Sequence, residues 1–357
     1  MTVTTVAIIG AGLAGLNAAR LLHRAGIDFH LFEARDRTGG RILTVDEMGG
    51  LAEDGFDLGP SWFWPQMHPV MAELVYELSL PFFAQYSTGD LVFERTPREI
   101  PQRVPEFAQE PSSMRIAGGT AALVRALLCD LPTERLHFGT AVTALRLTDE
   151  GIEVKAADRT ITAQHVIAAL PPRLFADKVT LHPAPAPRDL SRWQSTATWM
   201  APHAKVFALY DRSFWRDAGL SGMAQSMVGP LTEIQDATTA SGKAALFGFV
   251  GVPAANRAAV GDETLIHATI QQLIRLFGPE AGSPRATLVK DWARDPWTAT
   301  KTDALAAAHP VALGVEWVTG DWKGRLVMAG SEASPTEPGY LAGAIEASRV
   351  AVRSILL

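Results

Sequence analysis

Two groups of residues in this chain have types and spacing that could do chemistry. Gly10, Gly12 and Gly15 form a G-x-G-x-x-G turn, and Glu33 follows it. Gly10 permits a tight turn, Gly12 lets a pyrophosphate reach the backbone, and Gly15 lets helix and strand pack closely. Phosphates can then rest on the free N–H groups of a helix start, and an acid about twenty residues on can hold a ribose 2′-hydroxyl. The second group centres on Lys205, in a stretch from His203 to Tyr210 that alternates as a strand. Lys205, Phe207 and Leu209 share one face; Val206, Ala208 and Tyr210 share the other. A lysine on such a face needs a partner or a lowered pKa, unless it lies on an edge strand and reaches solvent.

The elements that must position these groups follow from periodicity. Val6 to Ile9 suits a buried parallel strand, Leu16 to Leu22 is apolar at helical spacing, and Ile27 to Phe32 leads a second strand to Glu33. This strand–turn–helix–strand order is the context that a dinucleotide fingerprint requires. A helix is expected over 68–80. The prolines at 97, 101, 105 and 111 exclude a helix across 87–111, which reads as a lid or a surface loop. After a helix over 121–131, strand-like runs at 136–138, 142–147, 152–156 and 160–165 are spaced like a meander, and 166–170 is a further buried strand. The Pro- and Trp-rich stretch 183–201 reads as a crossing. Strands at 244–250 and 287–292 flank a helix over 263–277, and a last strand at 326–329 precedes a closing helix over 341–356.

The chain has 357 residues, is 47% apolar and 20% charged, and carries a net charge of −6. That charge argues against nucleic-acid partners and acidic membrane surfaces. No apolar run approaches the length of a membrane span, and a strand at residue 6 leaves little room for a signal peptide, so a cytoplasmic location is expected. Cys129 is the only cysteine, which excludes an internal disulfide and a Cys-based metal site; its apolar neighbours imply a buried thiol. The nine histidines do not pair at ligand spacing, and no metal is expected. Neither a Walker loop, an H-E-x-x-H motif nor a G-x-S-x-G elbow is present.

The segment FEARDRTGGR after the glycine turn, the strand AKVFALYDRSFW, and the C-terminal piece MAGSEASPTEPGYLAGAIEASRVA together resemble the flavin-containing amine oxidase family. The resemblance covers most of the chain apart from 87–111, where the family has a long, mostly helical segment. It implies an α/β fold: an FAD-binding doubly wound, Rossmann-type domain from 1–62, 112–172 and 311–357, interleaved with a mixed-sheet substrate domain from 63–111 and 173–310.

The resemblance also implies where FAD lies. Gly10, Ala11, Gly12, Leu13, Ala14 and Gly15 would hold the pyrophosphate, and Glu33, Ala34 and Arg35 the ribose side. Gly39, Gly40 and Arg41 would line the loop that passes the cofactor, and Val142 would meet the adenine through its backbone. Leu58, Gly59, Pro60 and Ser61 would lie beside the flavin ring, with Ala169, Gly330 and Glu332 along the chain of the cofactor. Gly339, Tyr340, Leu341 and Ala344 would close the flavin site from the last helix. Trp292 either borders the ring or packs in the core. Lys205 would hold a water at the flavin, and Tyr340 would form one wall of an aromatic cage for an amine nitrogen. The other wall is open: Lys301-Thr302 stands where many members have a cysteine and an aromatic, so Trp297 could substitute for Thr302. Without that cysteine the FAD should be non-covalent. Trp62 and Trp64 would border the substrate.

The expected reaction is oxidation of a small-molecule amine, with hydride transfer from its α-carbon to flavin N5, hydrolysis of the imine, and reoxidation by O2 to H2O2. Two other readings compete. One is a renalase-like or desaturase-type FAD oxidoreductase acting on a non-amine donor; the other is a flavoprotein without turnover.

Overall fold

The computed structural model describes residues 2–105, 111–157, 159–304 and 308–357. Two sheets organise it. The larger has eight strands, in the order Thr180–His182, Val142–Thr148, Gly151–Ala156, Arg159–Ala168, Thr2–Ile9, Phe29–Phe32, Leu136–His137, with Leu326–Met328 also paired to Arg159–Ala168. Its centre is parallel: Thr2–Ile9 runs with Arg159–Ala168 on one side and Phe29–Phe32 on the other. The first strand is apolar on both faces. Val6 and Ile8 pack under the first helix (Leu13–Arg24), the helix Ala121–Leu128 and the closing helix Leu341–Leu356. Ala7 and Ile9 pack on the opposite side with Phe175, Trp193 and Trp322. Burial on both faces is what a strand between two helix layers demands.

The expected strands at 160–165 and 166–170 are one strand, Arg159–Ala168. Its first half pairs antiparallel with Gly151–Ala156 and its second half parallel with Leu326–Met328, so both partners occupy the same edge. A change of partner, invisible to periodicity, lies where the sequence suggested a break.

The second sheet has seven strands, in the order Ala286–Asp291, Ala204–Tyr210, Ala244–Val250, Leu231–Asp236, Leu220–Ser226, Asp90–Glu94, Gln102–Val104. The stretch 87–111 is therefore no mere loop: it supplies the hairpin Asp90–Glu94 and Gln102–Val104 at the sheet edge, where prolines are tolerated outside the ladder. Residues 106–110 of that stretch lie outside the described residues. The Lys205 strand is not an edge strand; it pairs on both sides, with Ala244–Val250 and Ala286–Asp291. Its faces divide as the alternation predicts, with Val206, Ala208 and Tyr210 in one core and Phe207 and Leu209 in another.

Cys129 corrects the expectation of a buried thiol. The helix that carries it ends at Leu128, so Cys129 falls past the buried face and is exposed, its thiol donating to the Arg125 carbonyl at 3.3 Å. The crossing 183–201 contains a short helix, Pro187–Ser195. Among the described residues, no helix is long and apolar enough to cross a membrane.

Candidate active site

One cavity of about 860 Å³ runs between the two sheets, within the range that accommodates sizeable ligands. At one end it is built from backbone. Gly10 has φ +100°, and a Cβ on Gly15 would lie 1.9 Å from the Gly10 carbonyl oxygen, so the turn and the helix approach both exclude a side chain. At Gly12 a Cβ would meet no protein atom closer than the Gly39 carbonyl oxygen at 3.9 Å, on the cavity wall. The first helix has neither a side-chain cap nor an acid in its first turn, and Leu13 and Ala14 line the cavity. The closing helix starts in the same way, with Tyr340 at its N-cap and Leu341 and Ala344 on the same cavity. Two uncapped helix N-termini thus open on one space, each offering N–H donors and a positive dipole end.

Glu33 closes the turn. Its Oε2 accepts from the Ala11 N–H at 2.8 Å and its Oε1 from the Arg35 N–H at 2.9 Å, leaving further lone pairs for ligand hydroxyls. Thr140, Ala141 and Val142 line the wall next to it, held by the bond from the Thr140 N–H to the Glu33 carbonyl. A cradle of glycines, free helix donors and a carboxylate fits a dinucleotide.

The arginines of the FEARDRTGGR segment are largely committed to protein. Arg35 donates to Asp295 at 2.7 Å and Thr298 at 2.9 Å. Arg37 holds the carbonyls of Thr38, Gly40 and Ile42. Arg41 makes a two-pronged pair with Glu332, at 2.6 and 3.1 Å, while Ser331 and the Trp199 carbonyl take further bonds. Arg41 still lines the cavity, but Glu332 is fully buried and does not. Glu332 thus orients Arg41 in place of facing a ligand. Ala34, Gly39, Gly40, Gly59, Pro60, Ser61, Ala169, Gly330 and Gly339 are on the wall, whereas Ala11, Gly15 and Leu58 stand behind it. Trp292 resolves to the core alternative: it is fully buried, and its indole N–H donates to the Leu58 carbonyl at 3.0 Å.

The other end is built from side chains. Lys205 is 1% exposed, and its ammonium donates to the Gly59 carbonyl at 2.6 Å, the Ser61 hydroxyl at 3.1 Å and the Asp57 carbonyl at 3.3 Å. It lies 4.5 Å from the centre of the Phe247 ring and 5.1 Å from that of Phe249. Burial lowers its pKa to about 7; Asp57 opposes the shift and Arg115 adds to it. The sequence places the lysine on this face, and the structure supplies the reason it is tolerated: every ammonium proton has an oxygen on the 57–61 loop.

Tyr340 lines the cavity, and its ring neighbours are His68 at 5.2 Å and His309 at 5.0 Å. Trp199 lies tilted against His309 at 4.5 Å and edge-on to His203 at 5.1 Å. Thr302 is on an exposed turn away from the wall, whereas Trp297 lines the cavity beside Lys178. The cavity face beside Tyr340 is therefore made by Trp199, with His309 packed against both rings, from segments where periodicity offers no signal. Trp62 and Trp64 line the cavity, their indole N–H groups held by Gln85 at 2.8 Å and Ser113 at 2.9 Å. His203, Glu233 and Phe249 also face the cavity and escaped the sequence reading. Burial, reinforced by Arg257, pushes the His203 imidazole below its ordinary pKa.

The family model described as flavin containing amine oxidoreductase matches the chain over two overlapping segments, 13–112 and 99–356. This chain belongs to that family. Among its relatives, a probable flavin-containing monoamine oxidase A of Dictyostelium discoideum is 24% identical, the match covering 97% of this chain and 96% of the relative. An L-amino acid dehydrogenase of Synechocystis is 26% identical over 70% of this chain, and the match spans 52% of its own length. In fold, the chain superposes on wild-type putrescine oxidase bound to putrescine with a TM-score of 0.81, at 20% identity and 99% coverage of both. The chain is thus an FAD-dependent oxidoreductase of the amine oxidase fold, as its two terminal fingerprints imply.

Proposed function

We propose that this flavoprotein oxidises a small-molecule amine to an imine and passes the electrons to O2. In this reading 1–62, 112–172 and 311–357 form the FAD-binding domain, and 63–111 and 173–310 the substrate domain. The observation that carries it is the continuity of a single cavity from the glycine turn and Glu33 to Lys205 and Tyr340. When bound, non-covalent FAD supplies the acceptor for a hydride equivalent from the amine α-carbon and a route for two electrons to O2, which leaves as H2O2.

The residues divide the remaining work. The backbone donors of Gly12, Leu13 and Ala14 receive the pyrophosphate, with Arg41 held against them by Glu332. Glu33 takes ribose hydroxyls, and the start of the closing helix favours negative charge on the isoalloxazine. Trp62, Trp64 and Phe249 exclude water, which favours an amine entering in its neutral form, the form that can release the hydride. Tyr340 and Trp199 present ring surfaces to the amine nitrogen on the cavity wall, with His309 packed against both rings. Lys205 fixes the 57–61 loop beside the reacting centre with all three ammonium protons and, with its pKa near neutrality, can give one up and then accept from a water through the freed lone pair.

The test is a visible spectrum of the purified protein, followed by anaerobic mixing with primary and secondary amines. Bleaching by one amine class, with colour and peroxide returning on admission of air, supports the oxidase. Bleaching by an amine with no peroxide in air sinks O2 as acceptor and favours a dehydrogenase, the description carried by the Synechocystis relative. A yellow protein that ignores every amine but bleaches with a nicotinamide or a polyene overturns the amine reading.

A further inference from the structure

We infer that Glu233 selects amines that carry a second cationic group, so that the preferred substrate is a short α,ω-diamine or an aminoalkyl relative of one. This inference rests on the proposed amine oxidation and names the substrate class for it. It starts from the register of the seven-stranded sheet. Lys205 lies directly opposite Phe249 across one ladder, and Glu233 lies directly opposite Phe249 across the next. Residues directly opposite one another share a face, so Lys205, Phe249 and Glu233 form a row on the face turned to the cavity, and all three line it. Two strand spacings separate Lys205 from Glu233, about 9–10 Å between their backbones.

The row has a chemical direction. At its inner end is Lys205, its donors spent on Asp57, Gly59 and Ser61. The middle is an apolar ring, and at the outer end Glu233 stands beside Thr232 and Gly251 of the cavity wall. Of the two carboxylates on that wall, Glu33 is bonded into the glycine turn, which leaves Glu233 for the substrate side. Its Oε1 accepts from Gln235 at 3.0 Å, and no ion pair to it forms among the described residues. Arg257, the nearby cation on the wall, is consumed by Asp291 at 2.7 and 2.9 Å. A half-buried carboxylate with no direct ion-pair contact, whose charge otherwise acts on Lys205 in the same row, suits an alkylammonium, which stays protonated at neutral pH as a lysine does. The neutral inner amine would lie against rings and the protonated outer amine against Glu233.

The experiment compares 1,4-diaminobutane with n-butylamine, on wild type and on Glu233→Gln, in the flavin-loaded protein. Two readouts are used at pH 7: the rate of anaerobic flavin bleaching, and the dissociation constant by calorimetry. Wild type should favour the diamine by tenfold or more in both, and Glu233→Gln should shrink that ratio by at least tenfold. A wild-type ratio near one, or a ratio that survives in Glu233→Gln, overturns the inference while leaving amine oxidation standing. Bleaching by neither compound nor by any other amine overturns the proposed function, and the inference with it.

Discussion

The two ends of the cavity are made of different materials. At the dinucleotide end the contacts are backbone: glycines that bring the chain close, and helix starts whose N–H groups have no cap. At the substrate end they are side chains drawn from strands and loops far apart in sequence, namely Trp62, Trp199, Lys205, Glu233, Phe249 and Tyr340. A backbone site tolerates no added atom, whereas a side-chain site can be rebuilt residue by residue. One end therefore fixes what cofactor binds, and the other is free to change what is oxidised.

The strongest way to break that contrast is to add atoms to the glycine turn. Gly15→Val should yield a colourless, destabilised protein, because its Cβ alone would stand 1.9 Å from the Gly10 oxygen; a normal flavin content and melting temperature would refute the backbone account. Gly12→Ala sharpens it. That methyl clears the protein, so folding should survive while flavin retention falls about tenfold, the size of a lost phosphate contact of 1–2 kcal/mol.

At the other end, Lys205→Met should keep its flavin and slow turnover by about a hundredfold, the lower bound for a lost proton-transfer group. It should also flatten a stability profile. The folded lysine, with a pKa near 7, binds its proton less readily than the unfolded one near 10.4. The penalty of burying charge is full below pH 7, and stability rises from there to about pH 10. Denaturation midpoints across that window should climb in wild type and stay level in Lys205→Met.

Trp199→Leu should lower kcat/KM about tenfold by removing the face beside Tyr340, while Thr302→Ala should change nothing measurable. The reverse result would return the cage to the position that the family resemblance suggested. The smallest effect belongs to Glu77, far from both ends. Its carboxyl, held by Arg20 and then Arg24 against the effect of burial, is brought down to about 2. It contributes stability above about pH 4.5, lost as pH falls toward 2. Because the pair is partly exposed, Glu77→Gln should cost less than about 1 kcal/mol near neutrality and leave turnover unaltered.

The same contrast explains what could be read beforehand. The glycine turn, Glu33 and the closing helix are local patterns, and periodicity recovers local patterns. Lys205 was legible because a lysine breaks an apolar alternation. Glu233 lies in Leu231–Asp236, where the two apolar residues are three apart and no alternation marks a strand; that its face turns to the cavity depends on ladder register with Phe249. Trp199 and His309 lie in segments with no period at all, and His203 stands at the end of the Lys205 alternation, just before the strand Ala204–Tyr210. Thr302 misled because an aligned position need not keep its place on the cavity wall.

The pairing of Arg159–Ala168 with Leu326–Met328 has a consequence for biosynthesis. The central strand of the sheet waits for a partner made more than a hundred and fifty residues later, and the first helix waits for the last, joined by the bond from Asn17 to Ser348 at 2.8 Å. Both helix starts that face the cavity exist together only once the helix Leu341–Leu356 has been made, so flavin capture must wait for that helix. Ribosome-stalled chains lacking 326–357 should hold no flavin, and a vitamin shortage should leave behind unliganded protein, exposed to proteolysis at the two helix starts that the cofactor would have tied together.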